Sequence, residues 1–238
     1  MARPKQNLYG QEMGSKGFQT REKIIDATTE LLGRRPLRDI KVAEIGQNAG
    51  VSTATIYLYF ETVSDIALAA IDRIDQASPE IVQLLEREWK RDKLLQYSRE
   101  LVNLHFSIWD RHHALLRVRN FVADEGDRRF VDSRRRSVEP VHLLLQEKIR
   151  ELQAVLPEER RLDPPSTASV VLAMLERTAQ VIRLPSAHKA TRPRQVDTAA
   201  FLVASAISGG APFMETLPAG LADSAEQLPS AIRVNRGN

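Results

Sequence analysis

The chain has 238 residues, 42% of them hydrophobic and 27% charged, enough apolar material for one or two buried cores without metals or cross-links. It contains no cysteine, which excludes disulfides, thiolate catalysis and cysteine-based zinc sites. The formal net charge of +3 is mildly basic, and residues 1–60 match that excess by themselves with nine Lys/Arg against six Asp/Glu, a weak pointer to a polyanionic partner.

Residues 1–19 are polar and include Gly10, Gly14 and Gly17, so they are expected as a flexible arm carrying Arg3, Lys5 and Lys16. No signal-peptide core opens the chain, and no apolar run approaches the roughly 18 residues of a membrane span. A cytoplasmic protein with no membrane partner is expected. A first helix is predicted from a Thr20 cap to Gly33, its apolar residues Ile24, Ala27, Leu31 and Ile25, Leu32 recurring at helical spacing, with Gly33 as a left-handed stop. Val42 and Ile45 give one face to a two-turn helix that Ala49-Gly50-Val51 breaks. Ser52 caps a second short helix, Ser52 to Tyr59. Thr62-Val63-Ser64-Asp65 has capping-box spacing ahead of Ile66, Leu68 and Ile71.

Further on, almost everything reads as amphipathic helix. Ser78-Pro79 either caps a new helix or kinks a long one. Leu94 to Asp110 carries one apolar stripe, a break near Asp110 follows, and His113–Asp124 and Asp127–Val155 are the next helices, with Pro140 a kink in the second. Ser166–Leu184 is strongly apolar, Lys189–Gln195 is expected as a basic loop, and Val196–Ile207 as the last helix. No strand pattern stands out. The fold class is all-α: an N-terminal three-helix helix-turn-helix domain over 20–65, a larger helical domain over 66–217, and a loosely ordered tail over 218–238.

The informative segment runs from Val42 to Phe60. Two short helices crossing steeply need a tight turn at Gly50, where a Cβ is expected to crowd, and Val42, Ile45, Val51, Ile56 and Phe60 can lock the pair against the first helix. The second helix then projects small polar side chains from its N-terminal end, the geometry with which a recognition helix meets base edges. Tyr57 and Tyr59 supply hydroxyls suited to phosphate, although packed core tyrosines are the plainer alternative.

Gly50-Val51-Ser52 followed by Thr55-Ile56-Tyr57-Leu58-Tyr59-Phe60 resembles the recognition-helix signature of the TetR family of transcriptional regulators. The resemblance covers about residues 20–71. It implies a ligand-responsive repressor: a homodimer on double-stranded operator DNA, released when a small-molecule effector enters the C-terminal domain. By that resemblance Thr53, Ala54, Thr55 and Leu58 face bases, with Ser52 at the helix start, and Tyr57 and Tyr59 contact phosphate. Two positions depart from the family pattern. Val63 stands where a phosphate-reaching Lys is usual, and Lys41 where a Ser or Thr cap is common, so Lys41 is expected to offer its cation to the DNA backbone instead. If Val63 marks a real loss, the alternative is a helical small-molecule-binding protein with weak or no DNA binding.

The effector pocket is less legible. Phe106, Trp109, Phe121 and Met174 are candidate linings for an apolar or partly aromatic ligand, with Asn120, Gln146 and Arg177 as polar partners, and ordinary core is an equally good account of each. Leu175-Glu176-Arg177-Thr178 is similar to a short stretch of mycobacterial regulators within the same family. His105, His112 and His113 lack compact metal spacing, so no metal is expected. The runs Arg117–Arg119, Arg128-Arg129 and Arg134–Arg136 interleave with acids and read as a salt-bridged surface. Surplus apolar residues on 166–184 and 196–207 point to the dimer contact. With no Gly-rich phosphate loop, nucleophile elbow or clustered His/carboxylate motif, neither enzymatic activity nor a cofactor is expected.

Overall fold

A computed structural model describes residues 6–76, 79–181 and 191–210. Nine α-helices occupy the described residues: α1 (Ser15–Leu32), α2 (Val42–Ala49), α3 (Thr53–Tyr57), α4 (Val63–Gln76), α5 (Glu80–Glu86), α6 (Leu94–Asp124), α7 (Arg128–Gln153), α8 (Pro164–Val181) and α9 (Arg192–Ile207). Among them the only β pairing is a single bridge between Gln6 and Glu12. The all-α expectation holds. The tail expected over 218–238 lies outside the described residues.

Two cores divide the buried apolar side chains. The N-terminal core takes Ile24, Ile25, Leu31 and Leu32 of α1, Ile45 of α2, Ile56 of α3, and Ile66, Ala67, Ile71 and Ile74 of α4. So α4, whose residues beyond Asp65 were expected in the second domain, packs its apolar face on α1. The second core joins α5, α6, α7, α8 and α9 through Leu84, Leu101, Phe106, Ile149, Leu175 and Val203.

Several boundaries differ from expectation for local reasons. α1 begins at Ser15 rather than Thr20, whose hydroxyl instead donates back to the Lys16 carbonyl. The arm was expected to be flexible to residue 19, but residues 6–14 form a hydrogen-bonded loop in which Asn7 Oδ1 accepts from the Tyr9 and Gln11 backbone N–H groups. Gly33 ends α1 with right-handed dihedrals (φ −65°, ψ −21°), so no left-handed stop operates there. The break expected near Asp110 does occur: α6 is two helical segments that meet at a kink at His112, whose backbone leaves the helical region (φ −126°, ψ 18°). Before the bend Phe106 and Trp109 enter the second core; beyond it Leu116 still does, while Leu115 and Val118 enter the first. α7 runs through Pro140 as one helix. Residues 192–195, expected as loop, are the first turn of α9, with Pro193 near its start where its missing N–H leaves no helical bond unmade.

Candidate nucleic-acid interface and inner cavity

The helix-turn-helix is held by two glycines with different jobs. Gly50 ends α2 with φ 67° in the left-handed region, where a side chain is strained, yet a Cβ there would meet open space. The crowding expected at Gly50 occurs at Gly46. A Cβ on Gly46 would lie 2.7 Å from the Val51 carbonyl oxygen and 3.6 Å from Ile56 Cδ1. The Val51 N–H donates to the Gly46 carbonyl at 2.9 Å, which draws the turn against α2.

α3 spans five residues, shorter than the expected Ser52–Tyr59. Ser52 caps it, its Oγ accepting the Thr55 backbone N–H at 3.1 Å. The Ser52 and Thr55 hydroxyls also bond each other at 2.8 Å. Ile56 and Phe60 are buried and anchor the helix, while Ser52, Thr53, Ala54, Tyr57 and Leu58 are exposed along one continuous surface. Thr55 is half-buried. Tyr59 is half-buried too and packs on the N-terminal core, its hydroxyl directed toward Gly17 of α1. The Leu58 carbonyl accepts the Leu8 N–H at 3.0 Å, so the N-terminal loop sits against the end of α3. The basic residues Arg3 and Lys5 lie outside the described residues.

At the start of α2 the cap is supplied from within. The Glu44 carboxylate accepts the Lys41 backbone N–H at 3.2 Å and pairs with Arg35 at 3.0 Å. The Lys41 amide, and then Arg35, hold the Glu44 carboxyl below its ordinary range. This frees the exposed Lys41 ammonium from any capping duty, which it could not perform without an acceptor. Val63 is the first residue of α4 and packs on the N-terminal core. The capping box one residue earlier forms as expected: Asp65 Oδ2 accepts the Thr62 N–H at 2.9 Å and Thr62 Oγ1 accepts the Asp65 N–H at 3.2 Å.

Asp65 also ties the two halves of the molecule together. Its other oxygen accepts from Arg129 of α7 at 2.6 Å, and Arg129 pairs with Asp127 at 2.8 Å. Arg129 holds the Asp127 carboxyl below its usual range, and the carboxylates raise Arg129 in return. Farther along, Asp72 of α4 faces Arg136 of α7 at 3.8 Å.

Between α4, α5, α6, α7 and α8 lies a cavity of about 740 Å³, within the range of roughly 300–1,000 Å³ typical of small-molecule sites. Most of its wall is apolar, including Ile74, Ile81, Ile108, Trp109, Leu116, Val141 and Leu172. A polar network closes one side. Arg119, whose side chain is 5% exposed, lies 3.7 Å from Glu176 and donates to Ser137 Oγ at 3.0 Å. Glu176 also accepts from Arg134 at 3.2 Å and from Asn120 at 2.6 Å. His105 lines the same cavity without any hydrogen bond among the described residues, and its Nε2 is enclosed. Burial pushes the His105 imidazole down to about 4, with Glu176 opposing and Arg119 reinforcing the shift. His142, by contrast, is satisfied: Gln146 lies 3.0 Å from its Nδ1, and its Nε2 faces Ser169 and the Pro165 carbonyl.

Of the residues expected to line a pocket, Trp109 does so. Asn120 and Gln146 stand behind the wall, holding Glu176 and His142. Phe106 is buried in the second core beneath the Arg192 guanidinium, 5.6 Å from its ring centroid. Met174 packs on that core, Phe121 is 54% exposed and off the cavity, and Arg177 is exposed and bonds Gln180. The arginine runs pair with acids as expected at Arg129, Arg134, Arg135 and Arg136. Arg119 is the exception to that solvated surface. Helical spacing alone would have found it: it lies three and four residues beyond Leu116 and Leu115, on the buried side of α6.

An exposed capped helix on a helix-turn-helix, joined to a helical domain with a ligand-sized cavity, defines the class of one-component transcriptional regulators. The family comparisons agree. The model of bacterial regulatory proteins of the tetR family matches residues 24–70, and that of the tetracyclin repressor-like C-terminal domain matches residues 81–210. The chain belongs to the TetR family. It is similar to the HTH-type transcriptional regulator EthR of Mycobacterium tuberculosis, 35% identical over 100 residues that make up 41% of this chain and 46% of EthR. The same figures hold for EthR of Mycobacterium bovis. The chain thus spans about half the length of the curated relatives it matches.

Solved structures share the fold. The fatty acid degradation regulator FadR of Bacillus halodurans superposes with a TM-score of 0.59 at 18% identity, over 84% of this chain and 98% of that one. FadR of Bacillus subtilis in complex with stearoyl-CoA gives 0.58 at 18% identity, over 80% and 99%. A regulator from Saccharomonospora viridis in complex with choline gives 0.58 at 18% identity, over 78% and 94%. At such identities the likeness is one of fold alone. Among the described residues no helix is long and apolar enough to cross a membrane.

Proposed function

We propose that this transcriptional regulator is a cytoplasmic, ligand-responsive repressor that binds operator DNA as a homodimer and releases it when a small apolar or aromatic molecule fills the cavity. In this reading α3 enters the major groove with Ser52, Thr53, Ala54, Thr55 and Leu58 toward the bases. Tyr57, Tyr59 and Lys41 meet phosphates, which fix register more than sequence. The outer faces of α8 and α9 form the dimer contact. Val170 is 68% exposed and Leu202 47% exposed there, on helices whose other faces are buried. A twofold axis would set two α3 helices about 34–36 Å apart, one turn of DNA, or a multiple of it.

One observation carries the coupling: Ile74 of α4 belongs to the N-terminal core and to the cavity wall at once. A molecule pressing on that wall acts on α4. α4 in turn packs in the core that seats Ile56, and its Asp65 is tied to α7 through Arg129. That the Bacillus subtilis FadR structure was solved with stearoyl-CoA supports a small-molecule role for a fold of this kind. The test is electrophoretic retardation of the DNA upstream of the protein's own gene at two salt concentrations. Wild type retards that DNA, less so at the higher salt, and a Thr53→Ala/Tyr57→Phe variant does not. If wild type retards neither that fragment nor any recovered in a genome-wide selection, the repressor reading fails.

A further inference from the structure

We infer that the cavity is built for a neutral amphiphile, an apolar chain or ring system bearing one uncharged hydrogen-bonding group such as a carboxamide, with that group seated at the His105 imidazole. The inference rests on the reading of this cavity as the effector site and goes beyond it by assigning the chemistry of the ligand.

Three features of the wall converge on that chemistry. The apolar residues, among them Ile108, Trp109 and Leu172, call for an apolar body. His105 is the exception among the polar groups of the wall, because its ring makes no hydrogen bond among the described residues while its Nε2 is shut away from solvent. A polar group left so carries an uncompensated desolvation cost that a ligand's donor or acceptor removes. In the neutral ring Nε2 donates in one tautomer and accepts in the other, so either a carbonyl or an N–H can be met.

Charge decides between a neutral head and an ionic one. Arg119 and Glu176 lie on either side of the question, both acting on His105 and 3.7 Å from each other. A carboxylate head would gain Arg119 but face Glu176, and an ammonium head would gain Glu176 but face Arg119. The arginines nearer solvent add no free charge either. Arg134 shares Glu176 and Asp124, Arg135 faces Asp132 and Arg136 faces Asp72. An ionic head must therefore lose its water without gaining an unopposed counter-charge, whereas an amide loses less and finds His105.

The experiment measures binding of decanamide, decanoate and decylammonium to the full-length protein by calorimetry, each below its aggregation concentration. The variants are His105→Phe, which keeps a ring and removes the polar atoms, and His105→Asn, which keeps a donor and an acceptor. Circular dichroism checks that each is folded. Wild type should bind decanamide about tenfold or more tightly than either charged analogue. His105→Phe should weaken decanamide roughly fivefold to tenfold, the loss of one neutral hydrogen bond, and leave the charged analogues unchanged, while His105→Asn preserves the preference. Equal or tighter binding of decanoate or decylammonium overturns the assignment, as does a preference that survives in His105→Phe, and in both cases the cavity reading stands. If none of the three binds folded wild type, the cavity reading itself falls and takes the assignment with it.

Discussion

Replacing Gly46 by alanine tests the geometry of the DNA-binding unit at its tightest point. The added methyl would sit 2.7 Å from the Val51 carbonyl oxygen, inside the 3.0 Å that real Cβ atoms essentially never breach. That oxygen is backbone and has no rotamer to escape into, and the Val51 N–H is already bound to the Gly46 carbonyl at 2.9 Å. The turn must therefore withdraw from α2, carrying with it the strand of chain that seats the buried Ile56. Overpacking of this kind costs about 1–3 kcal/mol, and the better helix propensity of alanine returns somewhat less than about 1 kcal/mol of it. Gly50→Ala is the matched control. It has open space for its methyl but a left-handed backbone at φ 67°, worth roughly 1–2 kcal/mol of strain. Both variants should be less stable in urea unfolding followed by circular dichroism at one fixed protein concentration. They should part company in fluorescence anisotropy on an operator fragment. Gly46→Ala displaces α3 and should lose affinity about tenfold, while folded Gly50→Ala should keep affinity within a few-fold of wild type. If Gly46→Ala matches wild type in both assays, the close approach of α2 to the turn is not what positions α3.

Three further outcomes follow from single contacts. His105 has a folded value near 4 against an ordinary 6.5, so between those pH values the unfolded chain takes up the proton first. Its contribution is complete above pH 6.5 and is lost as pH falls toward 4, at most about 3 kcal/mol; a pH series of urea midpoints should show a steeper acid decline in wild type than in His105→Phe, and parallel curves would refute the linkage. Glu176→Gln leaves Arg119 enclosed without its carboxylate. Removing one partner of a buried pair costs about 3–5 kcal/mol; the 3.7 Å separation and the 17% exposure of Glu176 place this case lower, near about 2 kcal/mol, and an unchanged unfolding midpoint would show that the pair is not a stabilising one. Leu202→Glu puts a charge on the outer face of α9 that is proposed as the dimer contact; by that proposal wild type should sediment as dimer and the variant as monomer, with DNA retardation lost alongside, and an unchanged sedimentation coefficient would refute the contact.

Local rules account for much of the DNA-binding unit. Ser52 announces a cap because a side-chain oxygen directly ahead of a short helix can take an orphan N–H, and it does so at Thr55. Thr62 and Asp65 announce a capping box for the same reason, and both halves form. The helical spacing of Ile24, Ile25, Leu31 and Leu32 marks a buried face whatever that face meets, and all four are buried. Such features need only neighbours a few residues away. Where the same local logic was stretched it failed: Gly33 ends α1 without a left-handed turn, and the crowding assigned to Gly50 belongs to Gly46, because only the path of the chain after the turn brings the Val51 oxygen back over α2.

The cavity illustrates the other side. Aromatic and thioether residues were natural candidates for its lining, yet Phe106 turns into the second core and Phe121 outward, while His105 and Arg119 turn in. His105 and Phe106 are neighbours on α6 and so point to different sides of it, and the kink at His112 interrupts the helical spacing before Arg119 and Phe121. A repeating apolar pattern reports that a helix has a buried side but not which neighbour each part of that side will meet. The amino-acid sequence by itself thus determined the helical class, the recognition helix with its caps, and the family, all properties of contacts within a turn or two. Only the tertiary structure decided that Ile74 of α4 reaches from the N-terminal core to the cavity wall, that Glu176 gathers Arg119, Arg134 and Asn120, and that His105 beside them makes no hydrogen bond among the described residues. Glu176 of α8 lies far along the chain from Arg134 of α7 and from Arg119, Asn120 and His105 of α6, and their meeting depends on how the helices cross rather than on what lies next to them.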